Sequence, residues 1–149
     1  DVPVFVKNPI NPELNLWIGA IERLKSIGIH DIAAIHRGLD TDGTLPGILK
    51  LQRKAPSYYF KARTRNAFAK DETYLFAYSL AVAEENACGN VVVTAPTCGS
   101  CGILPAILYL FHTQYDISEK RILHALATAG LIGNLVKENA SSILMKLLR

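Results

Sequence analysis

Hydrophobic residues recur three and four positions apart along most of the chain, the spacing of one face of an α-helix. Leu14, Trp17, Ile18, Ile21 and Leu24 form the first such stripe. Asn11-Pro12-Glu13 precedes it with an N-cap residue, a proline at the first helical position and an acid in the first turn, and Gly28 ends it. Asp31 can cap a short second helix over residues 32–37, which Gly38 stops. Turn chemistry follows in Asp42-Gly43 and Pro46-Gly47. Asp71 is the next N-cap, and Glu72 to Cys88 reads as a helix ended by Gly89. An apolar, strand-like run from Val91 to Thr94 then breaks into a turn of Thr, Pro, Cys, Gly and Ser. A helix runs from Cys101 to Tyr115, with Pro105 in its first turn, where a missing N–H is tolerated. Ser118 caps the last helix, Glu119 to about Lys137. That helix is apolar nearly all round, and Gly130 and Gly133 allow close backbone approach, so it is predicted to be central in its bundle. The sum is a mainly α fold, a helical bundle of five or six helices with at most one or two short strand-like segments.

Composition narrows the picture. The 149 residues suit one domain with a real core, and half of them are apolar. No stretch reaches the ~18 uninterrupted apolar residues of a membrane helix, and no signal-peptide pattern opens the chain. The first residue is Asp1 rather than Met, so the chain reads as a fragment or a processed piece. Three cysteines without a secretion signal point to a reducing, cytoplasmic setting. A net charge of +3 is too small to imply a nucleic-acid partner. Its distribution says more: residues 43–70 hold no acid, but Lys50, Arg53, Lys54, Lys61, Arg63, Arg65 and Lys70. This stretch reads first as a solvated basic connector. The alternatives are docking of an anionic substrate or an acidic domain face and, less in keeping with the missing motifs, RNA binding through Tyr58, Tyr59 and Phe60.

The chemical signals concentrate in Cys98-Gly-Ser-Cys101, set between a strand-like run and a helix N-terminus. A thioredoxin-like module places its reactive thiol there, because the helix dipole favours the thiolate. The flanks are helical, however, without the βαβ unit such a fold needs. A zinc or iron–sulfur site would need further ligands, and Cys88 and His112 form no recognised spacing with the pair. The third reading is two small side chains shaping a pocket turn. His30, His36, His112 and His124 show no consistent pairing and read as structural. Glu84-Glu85-Asn86 ends a helix and is expected to be solvated. Lys137-Glu138-Asn139-Ala140-Ser141 is a polar cluster after an apolar helix, where Lys complements the helix dipole. Beside a hydroxyl-rich turn it could complete an anion pocket.

Taken together, AVAEENACGNVVVTAPTCGSCGILPAIL (Ala81–Leu108) and GLIGNLVKENASSI (Gly130–Ile143) resemble the catalytic alpha domain of the iron–sulfur-dependent L-serine dehydratases, or L-serine ammonia-lyases. GLDTDGTLPGILKLQRKA (Gly38–Ala55) is similar to that family's entry segment. The resemblance implies a lyase that converts L-serine to pyruvate and ammonia, in amino-acid catabolism and gluconeogenesis, with a 4Fe-4S cluster acting as Lewis acid. It implies a partial alpha-type domain over residues 1–149: a helical lead-in (1–37), the basic connector (43–70) and core helices with substrate-side loops (71–143). Thr94, Thr97, Gly99 and Ser100 would bind substrate, and Lys137, Asn139 and Ser141 would be catalytic. The family's cluster cysteines lie after the K-x-NAS-I block, and this sequence stops before them. Cys98 and Cys101 are therefore not assigned as ligands: no metal residue is assigned, no cluster is expected on this chain, and no activity is expected from it alone. The implied partners are L-serine, the remainder of the alpha domain, a beta domain or subunit, and a second copy in a homo-oligomer, with neither nucleic acid nor membrane. A small thiol redox or metal-binding module using Cys98 and Cys101 is the alternative function.

Overall fold

The computed structural model describes residues 32–64, 69–93 and 98–147, of which 137, 138 and 140–147 by their backbone alone. The expected helix over residues 11–28 and the Asp31 cap lie outside these. The helical expectation holds. Residues 32–40 are helical (α1), followed by α2 (Ala55–Thr64), α3 (Lys70–Ala87), a 3-10 turn at Cys98–Ser100, α4 (Ile103–Gln114) and α5 (Glu119–Leu147). Among the described residues β pairing is limited to one antiparallel bridge, Thr44 with Gln52. Val91–Val93 is irregular rather than a strand.

The central element is α3, not the last helix. Tyr74, Ala77, Tyr78, Ala81 and Val82 are buried along it, and α1, α2 and α4 pack around that face with Ala34, Ile35, Ala55, Ala62, Ala106 and Leu110. Small residues let the helices approach closely. Gly38 does not stop α1, which continues to residue 40. Its function is steric: a Cβ there would stand 2.5 Å from the Ala81 carbonyl oxygen. Gly102 meets the Ser79 carbonyl in the same way, so α1 and the start of α4 both press backbone to backbone on α3. Tyrosines fill the wider gaps. Tyr74 stacks on Tyr78 at 5.6 Å, and Tyr109 meets Tyr78 edge-on at 4.8 Å. Burial pushes the Tyr78 hydroxyl well above the usual tyrosine range, against its hydrogen bond with Thr113 and with help from the neighbouring tyrosines.

Two segments depart from the sequence expectation. The basic connector contains the ten-residue helix α2, seated on α3. Ahead of it, residues 43–53 fold back on themselves through Leu45 N–H to Leu51 O (2.7 Å) and Arg53 N–H to Gly43 O (2.8 Å). Gly43 and Gly47 take the positive φ values, 120° and 117°, that this turn requires. The last helix, α5, begins after Ser118 as predicted but runs on to Leu147, and among the described elements its main contact is with α4. None of its described side chains is buried. Gly130 and Gly133 have no described atom within 4 Å of a Cβ position, so they provide no close helix crossing among the described residues. Asp71 sits inside the first turn of α3 rather than capping it, and accepts a hydrogen bond from the Tyr115 hydroxyl. Gly89 ends α3 as expected, at φ 78°.

Candidate active site

The C-terminal end of α3 carries the most organised polar chemistry in the described residues. Glu84 and Glu85 are not solvated; they are 4% and 1% exposed. The reason is helical phase. Glu84 follows Ala77 and Ala81, and Glu85 follows Tyr78 and Ala81, at the i+3, i+4 and i+7 steps of the buried face. A carboxylate carried inward must find donors. Glu84 finds them on the backbone that opens α2: Lys54 N–H at 2.7 Å and Ala55 N–H at 3.4 Å. Since α2 has no acid in its own first turn, α3 supplies the carboxylate that caps it.

Glu85 collects three side chains. Its Oε1 accepts from Arg53 Nη1 at 2.9 Å, and its Oε2 from Arg37 Nε at 3.1 Å and Asn90 Nδ2 at 2.9 Å. Burial works against the charge on Glu85, but Arg53, Arg37 and Asn90 outweigh it and hold the carboxyl below its usual value. Burial likewise disfavours the Arg53 cation, yet Glu85 and the Cys88 sulfur outweigh that and raise its pKa. Arg53 Nη2 donates to Cys88 Sγ at 2.9 Å. Arg53, at 6% side-chain exposure, is thus an internal ion-pair partner rather than part of a solvated connector.

From this cluster the chain leaves α3 at Asn90 and returns at Gly102, where α4 begins. Gly99 and Ser100, two of the residues assigned to substrate, stand on the 3-10 turn just ahead of α4. The positive end of the α4 dipole is there, an electrostatic setting suited to a carboxylate. Thr94 and Thr97 lie outside the described residues. Lys137, Asn139 and Ser141 are all within α5, not after its end. Residues 137 and 141 are one helical turn apart, and residue 139 stands about half a turn round from both. Asn139 Nδ2 donates to the Leu135 carbonyl of its own helix at 2.9 Å. Arg37, Arg53, Glu85 and Asn90 belong to no sequence-assigned site, although the phase of Glu84 and Glu85 on the α3 stripe is a signal for their burial.

The histidines behave structurally. His36 Nε2 pairs with the Tyr109 hydroxyl at 3.1 Å, and His112 Nδ1 donates to the Ile117 carbonyl at 3.1 Å. His30 lies outside the described residues. The three cysteines are thiols in unlike settings: Cys98 exposed, Cys101 in the core, and Cys88 against Arg53. They do not fit a cluster. Among the described residues no three His, Cys, Asp or Glu side chains converge as metal ligands. No described helix is long and apolar enough to cross a membrane.

Comparison with known proteins gives a consistent result. The sequence model of a family described as "Serine dehydratase alpha chain" matches residues 22–143. The chain is 41% identical over 118 residues to L-serine dehydratase TdcG of Escherichia coli K12, covering 76% of this chain and 26% of that protein. It is 42% identical over 113 residues to L-serine dehydratase of Streptomyces coelicolor, covering 73% of this chain and 24% of that protein. For L-serine dehydratase of Helicobacter pylori 26695 the identity is 42% over 103 residues, 65% of this chain and 23% of that protein. The chain spans about a quarter of the length of these relatives. Neither the comparisons nor the cysteine geometry supports a thiol redox module.

Proposed function

The chain belongs to the serine dehydratase alpha-chain family, and we propose that it supplies the substrate-side half of an L-serine dehydratase. The observation that carries this reading is the match over residues 22–143, which takes in the α3 terminus, the turn ahead of α4 and most of α5. The reaction removes the Cα proton and the hydroxyl of L-serine and ends in pyruvate and ammonia. It needs the carboxylate held, the Cα–H aligned with a base and the departing hydroxide stabilised. The residues proposed here serve the first two needs. Thr94, Thr97, Gly99 and Ser100 offer hydroxyls and backbone N–H groups to the carboxylate, and the α4 dipole stands behind Gly99 and Ser100. Lys137 is a charge partner, and Asn139 and Ser141 orient the substrate by hydrogen bonds.

A 4Fe-4S cluster in the complete enzyme would supply Lewis acidity at the leaving hydroxyl. Since the cysteines described above do not fit such a cluster, its ligands belong to other parts of that enzyme. The remaining alpha region, a beta domain or subunit, a cytoplasmic location, a homo-oligomeric state and a place in amino-acid catabolism are parts of the same proposal. The test is pyruvate formation from L-serine by the complete, iron-reconstituted enzyme. Thr97→Ala and Lys137→Ala are each expected to lower turnover at least about tenfold. Unchanged turnover removes the residue from the site, and pyruvate formation by this chain alone refutes the division of the site into halves.

A further inference from the structure

The connection between α3 and α4 is fastened to a single helix at both ends. At its root Asn90 is tied twice to Glu85: its side-chain amide donates to the carboxylate at 2.9 Å, and its backbone N–H donates to the Glu85 carbonyl at 3.1 Å. At the far end Gly102 abuts the Ser79 carbonyl and Cys101 is buried in the core. Ser79 and Glu85 are six residues apart on α3, which puts the two fastenings roughly 9 Å apart along one rigid axis. The turn bearing Gly99 and Ser100 lies between them in sequence.

Glu85 is itself immobilised. Arg53, from the segment before α2, takes one carboxylate oxygen, while Arg37, from α1, shares the other with Asn90. A carboxylate gripped from two further elements has little rotational freedom to give up, so the place of Asn90 is fixed from α1, α3 and the segment before α2. We propose that Glu85 and Asn90 are positioning residues of the dehydratase, setting where the Gly99–Ser100 turn is presented to substrate through the Arg37–Arg53–Glu85–Asn90 network. This rests on the functional reading above. Neither residue need touch L-serine. Their effect is on the placement of groups that hold the substrate carboxylate, so their loss weakens substrate binding more than it slows the chemical step.

The test uses the complete enzyme with Asn90→Ala and, separately, Glu85→Gln. Asn90 is exposed, so its truncation opens no cavity, and the melting temperature is expected to fall only by what one hydrogen bond to the Glu85 carboxylate contributes. The expected result is a KM for L-serine raised about fivefold or more in Asn90→Ala, with a smaller change in kcat. Backbone hydrogen exchange at Val91–Val93 and Cys98–Ser100 is expected to quicken in the same variant. Glu85→Gln is expected to show both effects more strongly. A lowered melting temperature with unchanged KM and unchanged exchange would reduce the network to a purely structural one and overturn the proposal. If the parent enzyme does not turn over L-serine, the functional reading fails, and the exchange measurement still decides whether Asn90 and Glu85 hold this segment.

Discussion

Two glycines in helices show how local context decides the sign of one substitution. Gly38→Ala would drive a methyl group into the Ala81 carbonyl, a backbone atom that no rotamer change can move. It is expected to destabilise by about 1–3 kcal/mol. Gly130→Ala adds a methyl group into space free of described atoms, and is expected to stabilise α5 by up to about 1 kcal/mol. Urea unfolding of both variants checks the pair, and similar effects would contradict the packing described. Glu85 makes a second residue-scale prediction. Its folded-state pKa is depressed, so its contribution is fully present above the unfolded value of about 4.3 and is lost as pH falls through the folded value. The urea midpoint is expected to be flat between about pH 7 and 5 and to fall on further acidification. Glu85→Gln should flatten that acid limb and, at neutral pH, cost about 3–5 kcal/mol by leaving Arg53 without its buried partner. An acid limb unchanged in Glu85→Gln would reassign it to other carboxylates.

Helices here are completed by one another. The N-terminus of α2 takes its anionic partner from Glu84, thirty positions away from Lys54. Glu84→Gln keeps an acceptor but gives up the charge and one of two equivalent oxygens; Glu84→Ala gives up both bonds. The expected order of stability is wild type, then Gln, then Ala, with the Ala variant down by about 1–3 kcal/mol and the loss of helicity concentrated in residues 55–64. Exchange rates of the first-turn amides of α2 provide the measurement, and equal rates in all three proteins would refute the cross-helix cap. The start of α2 looks uncapped in sequence because its cap belongs to another helix. By contrast α3, α4 and the start of α5 are legible, since apolar spacing, Gly89, Pro105 and Ser118 are all local signals. Extension of α5 through Lys137–Ser141 is not, because a polar cluster after an apolar stretch is equally compatible with a helix end and with a helix that continues past its buried part.

At the scale of the molecule, α5 carries an uncovered apolar stripe. Leu131 and Leu135, with Ile132 and Val136 beside them, are 46–60% exposed among the described residues. Such a stripe is costly in water and favours association. The chain produced by itself is therefore expected to elute above its monomer mass in gel filtration at micromolar concentration. Leu131→Glu with Leu135→Glu should restore the monomer position, and a monomeric parent would refute the expectation. The apolar character that makes α5 look central in sequence is real; what the sequence leaves open is which surface it faces. In the bundle that central place belongs to α3, whose Ala77 and Ala81 admit neighbours at short range while its tyrosines fill the remaining space.

The order of residues by itself determined the helical class, most helix boundaries after residue 70 and the resemblance in its motif blocks, because periodicity, turn residues and short motifs are properties of neighbouring positions. Tertiary structure alone decided which groups meet the Glu84 and Glu85 carboxylates, that Arg53 and Arg37 reach Glu85 across 32 and 48 positions, and that Gly38 serves contact rather than termination. The physical reason is that the energy of a charge or a methyl group depends on what surrounds it, and the surroundings are supplied by distant parts of the chain.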